Sequence, residues 1–117
     1  MTAQHTLARP PENTPKFYET EGKGKDALVF AHYFMPSTKV DIYVLEYSPE
    51  DDCIFGYSIL NDPILGEYGY TSLKEMEEVE VQVSVIINGE THLMPVRMEL
   101  DEHWKIKPMR DALCDQE

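Results

Sequence analysis

Apolar and polar residues alternate strictly over residues 79–100, "VEVQVSVIINGETHLMPVRMEL", and the alternation turns back on itself at Asn88-Gly89. That pair favours the two-residue type I′ reversal, because both positions need positive φ. The turn predicts a register in which Ile87 faces Glu90, Val85 faces His92, Val83 faces Met94, Val81 faces Val96 and Val79 faces Met98. The other face then pairs Glu80 with Arg97. A slip of one residue would turn both faces inside out, so turn and pattern together specify this hairpin. Pro95 has no amide to give, which makes its strand an edge or the site of a bulge.

Upstream, "ALVFAHYF" (27–34) reads as a strand apolar on both faces and closed by Pro36, hence covered on both sides. "KVDIYVLEY" (39–47) puts Val40, Ile42 and Val44 on one face and Asp41, Tyr43, Leu45 and Tyr47 on the other. "SPEDD" (48–52) supplies a turn, and "CIFGYSIL" (53–60) returns as the second strand of an antiparallel hairpin. Gly56 within that strand predicts a bulge or a close backbone approach. "NDP" (61–63) breaks the strand. In "GEYGYTSLKEMEE" (66–78), Tyr68 and Tyr70 face the same way if the segment is extended. Ser72 and Glu75 form a capping-box pattern, which predicts a helix over 73–78 with Leu73 and Met76 turned inward. That stretch reads as an architectural corner with buried tyrosines and solvated acids. "PMRDALC" (108–114) predicts a terminal helix with Pro108 in its first turn. Residues 1–15, with three prolines and a lone leucine, read as a flexible arm, and 16–117 as a single domain. The fold class is α+β: a mainly antiparallel sheet of about five strands with one or two short helices.

Charge changes this picture from architecture toward surface. The chain carries 22 acidic and 10 basic Lys/Arg residues, a net of −12 over 117 residues. The imbalance is local: residues 41–102 hold fifteen Asp/Glu against Lys74 and Arg97 alone. Such a surface repels nucleic acid and anionic lipid, and points to a protein partner with a basic surface. The open edge of the 79–100 hairpin is a candidate dimer contact. No apolar run is long enough to span a bilayer and the N-terminus has no secretory h-region, so a cytoplasmic location is expected. Cys53 and Cys114 lie in no Cys/His cluster and read as free thiols in a reducing compartment.

Taken in order, "PKFYETEGKGKD", "ALVFAHYFMP", "IYVLEYSPEDDCIFGYSI", "GEYGYTSLKEMEE" and "MPVRMELDEHWKIKP" carry a family resemblance. The matching positions are Phe34, Pro36, Tyr43, Glu46, Phe55, Gly56, Glu67, Gly69, Tyr70, Ser72, Leu73 and Glu75. Over residues 15–108 the chain resembles the bacterial family called domain of unknown function 2958. It departs from that pattern in the inserted strand "VEVQVSVIINGETHL" and in the scattering of the closing motif over Arg97, Glu99 and Asp101. The resemblance implies a small bacterial protein of plasmids and other mobile elements, and no particular reaction.

The candidate chemistry is sparse. No nucleophile–base arrangement and no glycine-rich phosphate loop is present, and no cofactor is implied. His32, on a two-sided apolar strand, reads as a satisfied histidine of the core or its rim. Glu46 and Glu67 could form a carboxylate pair. Glu46, Glu67, Tyr70, Glu75, Glu77 and Glu78 are the candidate binding residues. Glu99, Asp101 and His103, two apart on an extended segment, form a candidate metal set. The sequence therefore predicts a non-enzymatic interaction or accessory protein, one version of which imitates a nucleic-acid backbone with its acids. The alternative is a small enzyme or a metal- or ligand-binding domain with a carboxylate/His site.

Overall fold

A computed structural model describes residues 6–60 and 66–114. Among these residues nine strands and two short α-helices follow one another: β1 (Leu28–Val29), β2 (Ala31–Met35), β3 (Val40–Ser48), β4 (Cys53–Leu60), β5 (Glu67–Ser72), α1 (Leu73–Glu78), β6 (Glu80–Ile87), β7 (Glu90–Arg97), β8 (Glu99–Leu100), β9 (Lys107–Pro108) and α2 (Met109–Cys114), with a single 3-10 turn at Gly24–Asp26 before β1. Five of the strands form one antiparallel sheet in the order β5-β4-β3-β2-β8, while β1-β9 and β6-β7 are separate two-stranded ladders. This is the small α+β architecture read from the alternation. The break expected at residues 61–63 lies outside the described residues.

Alternation along the strands gives the central sheet two apolar faces. One face buries Ala31, Tyr33, Met35, Ile42, Val44 and Ile54 beneath Leu73 and Met76 of α1. The Glu75 amide donates to the Ser72 hydroxyl at 3.3 Å, the cap that the Ser-x-x-Glu spacing specifies. The other face buries Tyr43, Leu45 and Ile59, together with Val29 of β1, beneath Met109 and Ala112 of α2. The long strand expected over 27–34 is interrupted at Phe30, so β1 leaves the main sheet to pair with β9.

Where the sequence suggests a flexible arm, residues 6–15 are laid against the α1 side of the sheet; residues 1–5 lie outside the described residues. Leu7 is 3% exposed and belongs to the core. Arg9 bridges Asp52 at 2.8 Å and Glu77 at 2.9 Å, and the buried Tyr33 hydroxyl donates to the Ala8 carbonyl at 2.7 Å. These partners are remote in sequence, which is why composition alone points to a loose segment.

The β6–β7 hairpin has the register that Asn88-Gly89 specifies, from Ile87 opposite Glu90 to Glu80 opposite Arg97. Asn88 and Gly89 both have positive φ, 53° and 82°. The hairpin does not add to the central sheet. It stands off as an arm, in a molecule whose extents are 50 × 38 × 24 Å.

Candidate functional site

Across three neighbouring strands the register aligns Glu46 with Phe55 and Phe55 with Tyr70. This row is created by an irregularity. The β3–β4 register shifts between Val44 and Glu46, with Leu45 as the extra residue. A regular strand would place Glu46 beside Val44 on the α1 side. The bulge turns Glu46 to the α2 side and Tyr47 to the α1 side, where Tyr47 packs against the core. Gly56, paired with Val44, permits the close approach: a Cβ there would collide with the Tyr43 carbonyl. The glycine signal in the sequence thus marks the device that aims Glu46.

Glu46 is 3% exposed. Its Oε1 accepts the Tyr18 amide at 2.9 Å, and its Oε2 accepts both the Thr20 amide at 2.9 Å and the Thr20 hydroxyl. These bonds hold Tyr18 at φ 73°, a backbone conformation costly for a bulky side chain. Among the described residues no cation lies within ion-pair distance of the carboxylate. Above it opens a cleft of about 310 Å³, lined chiefly by Tyr18, Leu45, Phe55, Tyr68 and Tyr70, with Glu21 also on its lining. The rings brace one another: Tyr70 lies 5.0 Å from Phe55 and 5.1 Å from Phe17, and Tyr68 lies 5.0 Å from Tyr57. Burial pushes the Tyr68 and Tyr70 hydroxyls above their ordinary pKa.

Of the binding residues singled out in the sequence, Glu46 and Tyr70 meet here. Glu67 pairs with Ser58 on the opposite face and does not join Glu46. Glu75, Glu77 and Glu78 ride on α1, across the sheet from the cleft, and Glu77 is engaged with Arg9 and the Leu7 amide. The tyrosines expected to be buried are open: Tyr68 is 46% and Tyr70 55% exposed.

The candidate metal residues do not converge. Asp101 lies beyond the end of β8 and is engaged with His32, its other oxygen accepting the His103 amide at 3.0 Å. Glu99 and His103 are exposed, and no group of three or more His, Cys, Asp or Glu suited to a metal occurs among the described residues. Cys53 and Cys114 are both free, Cys53 half-buried and Cys114 exposed.

His32 is the satisfied rim histidine that the sequence suggests, but sequence reasoning missed its carboxylate partners, which form a second polar cluster. His32 Nε2 lies 2.7 Å from Asp41 Oδ1 and Nδ1 lies 3.1 Å from Asp101 Oδ2. Its ring stacks on Tyr43 at 4.9 Å and touches Trp104 at 5.2 Å. A neutral imidazole has one N–H, so both carboxylates are satisfied only by the imidazolium. Burial pulls the His32 pKa down, but the bonds and charges of Asp41 and Asp101 outweigh it and hold the group above its ordinary 6.5. The only signal in sequence is that His32 and Asp41 lie on strands joined by a short turn. The cluster is tightly packed, which suits a brace rather than a substrate site.

Among the described residues no helix is long and apolar enough to cross a membrane. No family model, no curated protein and no solved structure matches this chain, and the family resemblance rests on its residue pattern alone.

Proposed function

We propose that this is a non-enzymatic interaction protein whose β6–β7 arm docks into an apolar groove or sheet edge of a protein partner with a basic rim. The observation that carries this reading is the arm itself. A two-stranded ladder free of a larger sheet is marginal in water, and this one shows large apolar side chains on both faces. Ile86 and Leu93 are 77% and 67% exposed on one face, and Val81, Ile87 and Met94 are exposed on the other. Exposed apolar surface of this kind marks interaction sites. At the arm's base an apolar groove of about 290 Å³ runs between Val79, Val81, Met76, Met98 and Leu60, continuous with the second face. Among the described residues neither strand of the arm pairs along its outer edge, which suits pairing with a partner strand.

The partner's charge follows from what surrounds the arm. Glu78, Glu80 and Glu90 are exposed on or beside it, and Glu80 is paired with Arg97 at 3.0 Å. A basic rim on the partner therefore complements the arm and speeds encounter. The wider acidic surface would add to that attraction, with or without likeness to a nucleic-acid backbone.

The test is capture of partners from a cell lysate on immobilised chain, wild type beside the double variant Ile86→Asp, Leu93→Asp. Both positions face solvent, so the variant leaves the core intact. The wild type should retain a protein that the variant loses and that added salt weakens. Equal retention by both forms would sink the proposal.

A further inference from the structure

We propose that the cleft over Glu46 binds a small-molecule cation, and that a quaternary ammonium group is the chemistry it fits. This rests on the cleft alone and is independent of the arm. Three features converge. First, Glu46 is a buried acceptor with no counter-charge among the described residues, whereas buried carboxylates are ordinarily paired. Second, the lining above it is largely aromatic, from Tyr18, Phe55, Tyr68 and Tyr70. Rings attract a cation through their quadrupole, an effect that persists at exposed sites. Third, the carboxylate oxygens already take three donors, two from Thr20 and one from Tyr18. A primary ammonium brings three N–H groups that would need acceptors, and few lone pairs are left to meet them. A quaternary ammonium brings charge and apolar methyl groups and needs no acceptor. Glu21, exposed at the cleft, adds a second negative group toward solvent.

The cleft is built before any ligand arrives. The ring contacts among Phe17, Phe55, Tyr57, Tyr68 and Tyr70 fix the wall, and the bulge at Leu45 fixes the carboxylate. Its volume of about 310 Å³ stands at the lower end of small-molecule sites, which suits a compact ligand.

The decisive experiment titrates the full chain with choline and, in parallel, with 3,3-dimethyl-1-butanol, its uncharged carbon isostere, following backbone amides by NMR. Choline should shift the Tyr18, Thr20 and Tyr70 amides saturably and bind about tenfold more tightly than the isostere, the preference expected of cation–π and charge together. Tyr68→Ala and Tyr70→Ala, at largely exposed positions, should each weaken choline about threefold or more while the spectrum elsewhere stays native. Equal binding of choline and the isostere would overturn the proposal, since the cleft would then be merely apolar. No saturable shift at these amides with choline would overturn it too. So would choline shifts that survive unchanged in both tyrosine variants.

Discussion

Replacing Glu46 with Gln keeps the side chain's size and removes one acceptor and the charge. Oε2 serves two donors and Oε1 one. The glutamine oxygen therefore takes the Oε2 position, and its NH₂ faces the Tyr18 N–H. One charge-assisted bond is lost, about 1.5–3 kcal/mol, and two others fall to neutral strength, about 1 kcal/mol each. Two effects offset this. The Tyr18 bond is only part-buried, so water can replace its acceptor. The variant also no longer buries a charge, which relieves a desolvation cost of a few kcal/mol. The balance is a net loss of roughly 2 kcal/mol. For a chain of this length that lowers Tm by roughly 8 °C. Glu46→Ala is worse, roughly 3–4 kcal/mol, because the amide and hydroxyl of the buried Thr20 lose their acceptor altogether.

The assay is urea unfolding followed by the fluorescence of Trp104, the sole tryptophan, which packs on His32 and Tyr43 and donates to the Val29 carbonyl at 2.9 Å. A fall in midpoint with unchanged slope is expected for both variants, with Ala below Gln. Wild-type stability in Glu46→Gln would refute the reasoning. The three bonds would then contribute no more than the burial of the charge costs, and Glu46 would not be the staple of the 18–20 loop.

Gly56→Ala should cost about 1–3 kcal/mol by the same assay, because its Cβ meets the Tyr43 backbone, which cannot move without disturbing the bulge. His32 makes stability fall with rising pH. Its folded pKa lies above the unfolded 6.5, so its contribution is complete below 6.5 and is lost as pH rises through the folded value. Unfolding measured between pH 5 and 9 should show that slope, and His32→Gln should abolish it. Arg9→Ala should cost about 1 kcal/mol, since both its ion pairs are partly exposed. It should also speed hydrogen exchange at the Leu7 amide, which donates to Glu77.

What was legible in the sequence is what neighbouring residues decide. Asn88-Gly89 sets the register of eight residue pairs, and Ser72 with Glu75 sets the start of α1. Gly56 announced a close approach, but not its consequence. A bulge changes the parity of a strand without changing its composition, so the alternation of residues 39–47 places Tyr47 with Tyr43, while the fold puts Glu46 there and sends Tyr47 across. For that reason Glu46 was a candidate but its partners were not. Asp101 and His32 are 69 residues apart, and Arg9 and Glu77 are 68 apart. Nothing local reports such pairs, which is how a docked segment reads as a loose arm. The arm's detachment was equally hidden, because a hairpin has the same pattern whether it joins a sheet or stands alone.

An exposed apolar hairpin invites its own copies to pair along its open strands, and the acidic surface opposes this. Two copies approaching arm to arm bring together Glu78, Glu80 and Glu90 from each, within molecules of net charge −12. The repulsion is felt across about 8–10 Å at ordinary ionic strength, further than apolar contact reaches. A partner with a basic rim reverses the sign of that interaction and meets the same apolar side chains. The acids and the arm thus form one device on the proposed reading: the apolar residues supply adhesion without discrimination, and the charge decides to what they adhere. High salt should separate the two parts, weakening the partner complex while promoting self-association, whereas an acidic surface that served only solubility would leave partner affinity unmoved.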